Sequence, residues 1–319
     1  MGEPRRLRVL FFGTPEFALP ALRALTESRH PLVGVVCQPD RPRGRGRKLE
    51  PTPVRAEAEA RSIPVLQPDK VGTEAAVAWM REREPDLGCV VAFGQFIPRS
   101  VRELPPHGLV NAHASLLPRF RGAAPVQHAI LEGDDETGVT IIRIEREMDA
   151  GEWCLIRRAP IGPDETAGEL SARLAVLAAE ALLEAVEQIA RDEARFQAQP
   201  AEGVTLAPKV GREFGRVSFE EPVYRILRRI RAATPWPGVD LELRPSGRRF
   251  RILRAGGKPG WDASGAPGAV AHGEGRLRIA AGDGWIEVHR LQVPGRRPVD
   301  AAEFLRGARL GAREEAQSL

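Results

Sequence analysis

Three polar side chains, at positions 111, 113 and 115, are spaced two residues apart directly after a short apolar stretch. Leu109 and Val110 indicate the end of a buried strand, and alternate residues of an extended chain project to the same face. Asn111, His113 and Ser115 are therefore predicted to share one side. In an open parallel sheet, ligands bind in the crevice at the carboxyl ends of the strands. The sequence thus predicts that an amide, an imidazole and a hydroxyl converge on such a crevice.

The next segment, Leu116-Leu117-Pro118, is apolar and stiff. Proline fixes its own φ and pushes the preceding residue towards extended geometry, so we expect a rigid shelf on which a flat aromatic ligand could rest. An isolated Asn-x-His pair also has a purely structural explanation, because a capping amide beside a hydrogen-bonded histidine has the same spacing. The spacing alone leaves both interpretations open.

Composition limits the class of protein. The chain has 319 residues, of which 42% are hydrophobic, which suits two domains with cores of their own. No stretch approaches the roughly 20 apolar residues that cross a bilayer, and residues 1–7 lack a secretory segment, so we expect a soluble cytoplasmic protein with no membrane partner. Cys37, Cys89 and Cys154 are widely separated and are predicted to be core thiols rather than a disulfide framework or a zinc site.

The order of apolar runs and helical patterns predicts an α/β fold with a doubly wound, Rossmann-like, mostly parallel sheet. Strands are expected at 7–12, 32–37, 64–66 and 87–93, with helices between them. The turn at 13–15 lacks the three glycines of a dinucleotide fingerprint, which argues against a nicotinamide cofactor. Further strands at 139–144 and 153–156 are joined through Asp149, and an aspartate in such a turn most often caps the backbone.

The second half of the chain has a different pattern. Thr166 and Glu169 form a capping box ahead of a long amphipathic helix, and Ser218 and Glu221 form another ahead of a helix with a basic face that would favour a polyanion. Five short strands between 241 and 291, with a hairpin turn at 282–284, predict a small β-barrel. The predicted division is a first domain at 1–193, a polar linker at 194–208 and a second domain at 209–319.

The sequence resembles the methionyl-tRNA formyltransferase family along nearly its whole length. The strongest matches are Asn-Ala-His-Ala-Ser-Leu-Leu-Pro-Arg-Phe-Arg-Gly-Ala-Ala-Pro-Val-Gln at 111–127, Glu-Thr-Gly-Val-Thr at 136–140 and Met-Asp-Ala-Gly at 148–151. The match weakens between 203 and 221 and returns with Arg-Ala-Ala-Thr-Pro-Trp-Pro-Gly at 231–238. The family resemblance implies formyl transfer from 10-formyltetrahydrofolate, the co-substrate, to the α-amino group of methionyl initiator tRNA for translation initiation, without a metal.

The resemblance also implies roles for particular residues. Asn111, His113 and Asp149 would be catalytic, and the second domain would be an OB-like barrel that binds tRNA. The expected folate contacts are Ser115, Leu116, Leu117, Pro118, Gln95, Phe96 and Ile97. The expected tRNA contacts lie in a basic loop and are Arg43, Arg45, Arg47 and Lys48. We expect this loop, 40–48, to be disordered without tRNA, and the protein to be a monomer.

Other functions stay open at this point. A related enzyme could formylate a smaller amine, such as a purine-pathway amine or an amino sugar nucleotide, with the same three residues and the same folate. The chain could also be a catalytically silent RNA-binding protein, although a binding module has no need of Asn111, His113 and Asp149 together. A nicotinamide oxidoreductase is the weakest alternative because the glycine fingerprint is missing.

Overall fold

The structure is a computed structural model that describes residues 5–43, 48–260, 265–311 and 313–319. The chain forms two compact units. The first comprises the residues up to Pro125 together with Glu136–Pro160 and Ser171–Ala207, and the second comprises Val126–Asp135, Ile161–Leu170 and Pro208–Leu319. Among the described residues, none of the helices has the length and apolar character needed to span a membrane.

The described residues of the first unit form nine strands. In chain order they are β1 (Val9–Gly13), β2 (Leu32–Val36), β3 (Arg41–Arg43), β4 (Lys48–Glu50), β5 (Val65–Leu66), β6 (Leu87–Val91), β7 (Leu109–His113), β8 (Glu136–Arg143) and β9 (Trp153–Pro160). Seven of them form one sheet in the order β5-β2-β1-β6-β7-β8-β9, and β3 pairs with β4 separately. The first five strands of this order, from β5 to β7, pair in parallel. Strand β8 pairs antiparallel with β7, and β9 pairs antiparallel with β8. The predicted doubly wound, mostly parallel sheet is confirmed.

The described residues up to Ala190 also form six helices and a short 3-10 helix at Glu16–Ala18. The six helices are α1 (Leu19–Glu27), α2 (Pro53–Ala60), α3 (Glu74–Arg81), α4 (Arg99–Arg102), α5 (Pro125–Glu132) and α6 (Ala167–Ala190). The predicted capping box at the start of α6 is confirmed, because Glu169 N donates to Thr166 Oγ1 at 3.4 Å and Thr166 N donates to Glu169 Oε2 at 2.9 Å.

Strands β1 and β6 are buried along their whole length, which explains why their sequences are continuous apolar runs rather than alternating patterns. Cys37 and Cys89 lie in this core, as predicted, and burial raises the pKa of both thiols. Cys154 is only partly buried, since it lies near the start of the edge strand β9, so the prediction of three core thiols is wrong for this residue.

The second unit contains a closed antiparallel barrel. Its strands are β10 (Val239–Arg244), β11 (Arg248–Pro259), β12 (Ala269–Gly273), β13 (Arg276–Ala281), β14 (Gly284–Gln292), β15 (Pro298–Asp300) and β16 (Glu314–Ser318), and its helices are α7 (Val223–Ala233) and α8 (Ala301–Ala308), with a 3-10 helix at Arg212–Gly215. Six strands close the barrel, because β16 lies between β10 and β12, and β11 pairs with β14. The predicted OB-like barrel is confirmed. The sequence Glu-Glu-Ala-Gln-Ser of β16 gave no strand signal because it is polar.

The predicted capping box at Ser218 and Glu221 is wrong. Helix α7 begins only after Pro222, whose ψ of 151° is extended, so residues 218–221 lie outside the helix. The carboxylate of Asp283, in the hairpin turn between β13 and β14, accepts a hydrogen bond from Val223 N at 2.7 Å instead. A residue 60 positions away along the chain therefore satisfies the first turn of this helix.

Candidate active site

Strand β7 brings Asn111 and His113 to the same face at its carboxyl end. Asn111 pairs with Val90 of β6 on one side and with Ile142 of β8 on the other, whereas His113 pairs with Thr140 of β8 alone. The His113 side chain is only 6% exposed, whereas Asn111 is half-buried. The Asn111 amide makes no hydrogen bond to other parts of the chain that the structure describes, so it remains available to a substrate.

The His113 ring contacts the protein through both nitrogens. Nε2 lies 2.9 Å from the carbonyl oxygen of Phe120, which can only accept, so this nitrogen must carry a proton. Nδ1 lies 3.6 Å from Oδ2 of Asp149. That second contact is attractive only when Nδ1 also carries a proton, because a lone pair would face a carboxylate oxygen. The fold thus brings together two side chains that lie 36 positions apart in the sequence.

Asp149 is fixed by its turn as well as by His113. Its φ of 52° lies in the left-handed region, which few residues other than glycine adopt. Its Oδ2 accepts a hydrogen bond from Gly122 N at 2.9 Å. Gly122 has a φ of 123°, and a Cβ atom there would lie 2.6 Å from the carbonyl oxygen of Ala207, so no larger residue fits without a shift. The hydrogen bond between Gly122 and Asp149 therefore joins the turn at 149 to the segment around 122.

Ser115 does not share the face of Asn111 and His113 as a strand residue, which corrects the prediction from spacing. Strand β7 ends at His113, and the fully buried Ser115 donates its hydroxyl to the carbonyl oxygen of Arg119 at 2.6 Å. Thr140 Oγ1 donates to the Ser115 carbonyl at 2.7 Å and accepts from Leu117 N at 3.2 Å. Ser115 therefore holds the turn that carries the apolar shelf.

The shelf and the neighbouring loop follow β7 and β6. Leu117 is buried, while Leu116 and Pro118 are half-buried. In the loop after β6, Ile97 is buried and Phe96 is 72% exposed. Gln95 binds backbone through both ends of its amide, because its Oε1 accepts from Val71 N and its Nε2 donates to the Pro68 carbonyl, each at 2.9 Å.

The basic loop is a hairpin over the part that the structure describes. Arg43 pairs with Lys48 where β3 meets β4, so within the loop 40–48 the expectation of disorder is wrong for the backbone-paired residues 41–43 and 48. Arg45 and Arg47 lie outside the described residues. At the base of the hairpin, burial would raise the pKa of Asp40, but hydrogen bonds from Gln67 and Thr52 and the Arg55 guanidinium outweigh it and lower that pKa.

Sequence reasoning missed two residues, of which one binds the backbone of Asp149 and the other binds Phe120, the residue that accepts the hydrogen bond of His113. Gln199 donates its Nε2 to the carbonyl oxygens of Asp149 and Gly151, at 2.7 and 2.9 Å. Thr205 Oγ1 accepts from Phe120 N at 2.8 Å. Both lie in the polar, proline-containing stretch predicted to be a linker, where a glutamine and a threonine carry no local signal.

Three of the four α7 arginines bind backbone carbonyls within the second unit, whereas Arg225 is exposed. Arg228 Nη1 donates to the Glu132 carbonyl at 2.9 Å, and Arg229 Nη1 to the Phe214 carbonyl at 3.4 Å. Arg231 Nη1 lies 3.4 Å from the Gly162 carbonyl. These contacts leave less basic surface on α7 than its sequence pattern indicates.

Residues 5–186 match the family model of the formyl transferases, and residues 209–309 match that of the formyl transferase C-terminal domain. The chain therefore belongs to the formyl transferase family and is a formyl-transferring enzyme. It is 45% identical over 304 residues to the methionyl-tRNA formyltransferase of Symbiobacterium thermophilum, covering 94% of this chain and 92% of the relative. It is 42% identical to the methionyl-tRNA formyltransferase of Myxococcus xanthus, covering 96% of each protein.

A solved structure supports the fold assignment. WlaRD, described as a sugar 3N-formyl transferase in the presence of dTDP and 5-N-formyl-THF, superposes with a TM-score of 0.65 at 16% identity. The match covers 93% of this chain and 100% of that chain. At this level of identity the likeness establishes the shared fold alone.

Proposed function

We propose that this protein transfers the formyl group of 10-formyltetrahydrofolate to the α-amino group of methionyl initiator tRNA, acting as a cytoplasmic monomer in translation initiation. The names and nearly complete coverage of its curated relatives support this substrate pair. The observation that carries the proposal is the group formed by Asn111, His113 and Asp149 at the carboxyl edge of the sheet.

The reaction joins an amine nitrogen to the formyl carbon and breaks the bond between that carbon and N10 of the folate. An α-amino group has an ordinary pKa near 8, so an appreciable neutral fraction is present at neutral pH to attack. The attack creates a tetrahedral oxyanion. Asn111, with its unengaged amide, donates a hydrogen bond to this oxygen, and loss of such a donor typically costs about 10²- to 10³-fold in rate.

His113 and Asp149 supply charge and move the proton. Whenever the ring is protonated at both nitrogens it places a positive charge near the oxyanion, and Asp149 orients the ring through its contact with Nδ1. Direct donation from His113 Nε2 to the oxyanion requires that its hydrogen bond to Phe120 be shared or exchanged. Asp149 passes the amine proton towards N10, directly or through water, so that tetrahydrofolate leaves as a neutral amine.

The remaining expected contacts divide into two groups. Leu116, Leu117, Pro118, Phe96 and Ile97 provide apolar surface for the folate ring system. Gln95 and Ser115 support the pocket through the backbone that they bind.

The basic hairpin contacts tRNA phosphates through the expected residues Arg43, Arg45, Arg47 and Lys48, because guanidinium groups suit phosphate oxygens. The C-terminal barrel provides further tRNA surface.

The first experiment compares amine acceptors with 10-formyltetrahydrofolate as donor. The acceptors are charged initiator tRNA, elongator methionyl-tRNA, free methionine and an amino sugar nucleotide. We expect rapid formylation of the initiator tRNA alone. Formylation of the sugar nucleotide in preference to tRNA would replace the substrate but keep the chemistry, whereas binding of tRNA without any formyl transfer would leave only an RNA-binding protein.

A further inference from the structure

Gln199 is held in one orientation by three groups around its amide. Arg121 donates to its Oε1 from Nε at 3.1 Å and from Nη2 at 2.7 Å. Its Nε2 has two hydrogens, and they go to the carbonyls of Asp149 and Gly151. A flipped amide would point oxygen at two carbonyls and nitrogen at a guanidinium, so only this orientation satisfies every partner.

The backbone that Gln199 bridges is the one that aims the Asp149 carboxylate. Asp149 adopts a left-handed backbone conformation, and such conformations persist only where surrounding contacts enforce them. A single side chain that binds the carbonyls on either side of Ala150 fixes this conformation from outside the turn. The direction of the carboxylate, and hence its approach to His113, depends on that conformation.

The same segment also holds the partners of the catalytic pair. Thr205 Oγ1 accepts a hydrogen bond from the amide of Phe120, and the Phe120 carbonyl accepts a hydrogen bond from His113 Nε2. Arg121 N donates to the Thr205 carbonyl at 2.9 Å, and Ala207 N donates to the Arg121 carbonyl at 2.7 Å. Residues 199–207 thus pair with the segment that supplies both the acceptor for His113 and the donor for Asp149.

We propose that Gln199 is a positioning residue of the catalytic centre, which acts by holding the turn at Asp149. This inference rests on the proposed role of Asp149 in formyl transfer. This role requires no contact between Gln199 and substrate, because its effect on the reaction passes through the direction of the Asp149 carboxylate.

The test begins with Gln199→Glu, which keeps the shape of the side chain and an oxygen for Arg121 but removes both hydrogens that bridge the turn. We expect kcat to fall by about 10- to 100-fold, because small misplacements of a catalytic group cost rates of this order. KM for both substrates should stay within about twofold. Gln199→Ala provides a second variant, and Gln197→Ala, an exposed glutamine in the same segment, is the matched control with normal kinetics.

A double-mutant cycle with Asp149→Asn separates positioning from a general loss of structure. If Gln199 acts through the carboxylate, Gln199→Glu should lower kcat by less than about twofold in the Asp149→Asn background. An equal loss in both backgrounds would overturn the inference, as would normal kcat for both Gln199 variants. A normal rate for Asp149→Asn would instead defeat the proposed role of the carboxylate itself, which is a different result.

Discussion

Two stretches of the first unit build the same centre in opposite ways. Residues 111–122 contribute side chains and backbone groups directly to it, through Asn111, His113 and Gly122. Residues 199–207 surround it from outside, through Gln199 and through backbone pairing with 121–124. The first stretch has unusual residue types at a recognisable spacing, whereas the second has a composition typical of a connecting segment.

A catalytic role can be predicted from a sequence where it depends on the types of the side chains and their spacing. Support given by main-chain hydrogen bonds can come from almost any residue, so it leaves little trace in residue type. Residues 199–207 lie about 50 positions or more beyond Asp149, and only the fold shows that they bind the turn of this aspartate. The following predictions test how sharply the two stretches differ.

The largest effect should come from the first stretch and its partner. Asp149→Asn and His113→Asn are each expected to lower kcat/KM by about 10²- to 10⁴-fold, because each removes one member of the pair that handles charge and proton transfer. Steady-state formylation of charged initiator tRNA measures this. Glu152→Gln, at an exposed position near the same turn, is the control. A loss below threefold for both variants would erase the distinction between direct and supporting residues.

Thr205→Val tests the second stretch through stability rather than chemistry. It removes the acceptor of the Phe120 amide, and a buried donor left without a partner costs about 1–3 kcal/mol. Urea unfolding of the full chain should show this decrease, and Thr205→Ser, which keeps the hydroxyl, should restore most of it. Equal stability of the valine and serine variants would mean that this segment does not brace Phe120.

The cap of helix α7 in the second unit tests a local sequence pattern against a tertiary contact. Asp283→Ala should reduce the free energy of unfolding by about 0.5–2 kcal/mol, because Val223 N loses its cap. Ser218→Ala, at the cap that the sequence pattern favours, should change it by less than about 0.5 kcal/mol. Thermal or denaturant melts of both variants decide between them, and the reverse order would contradict the tertiary cap.

A small, pH-dependent effect on stability is expected at Glu57, which lies in neither of the two stretches. Hydrogen bonds from Arg23 and Arg61 lower the pKa of Glu57 from its usual 4.5 to about 2. Because the folded pKa is depressed, the stabilisation is present above about pH 4.5 and is lost as the pH falls towards 2.

Glu57→Gln should therefore be less stable than the parent protein near pH 7, by about 1 kcal/mol at most since solvent screens such pairs, and this difference should vanish near pH 2. Denaturant melts across this pH range measure the difference. A gap that does not change with pH would contradict the ion-pair explanation.

The amino-acid pattern predicts the strands of the parallel sheet, most strands of the barrel, and the strand that presents Asn111 and His113. These follow from burial, because a strand covered on both faces needs a continuous apolar run, and a helix or barrel wall needs a periodic one. The catalytic assignment came from the family resemblance, since residue type and spacing around 111 left a structural explanation open.

Which distant groups contact each other follows from the folded arrangement of the chain and not from local sequence. The fold placed Ser115 and Gln95 on backbone partners, gave α7 its cap from Asp283, and closed the barrel with the polar strand β16. It also brought Gln199 to the turn of Asp149. The physical reason is common to all of these. A hydrogen bond between distant segments depends on where the chain returns in space, and neither hydrophobic periodicity nor local propensity encodes that return.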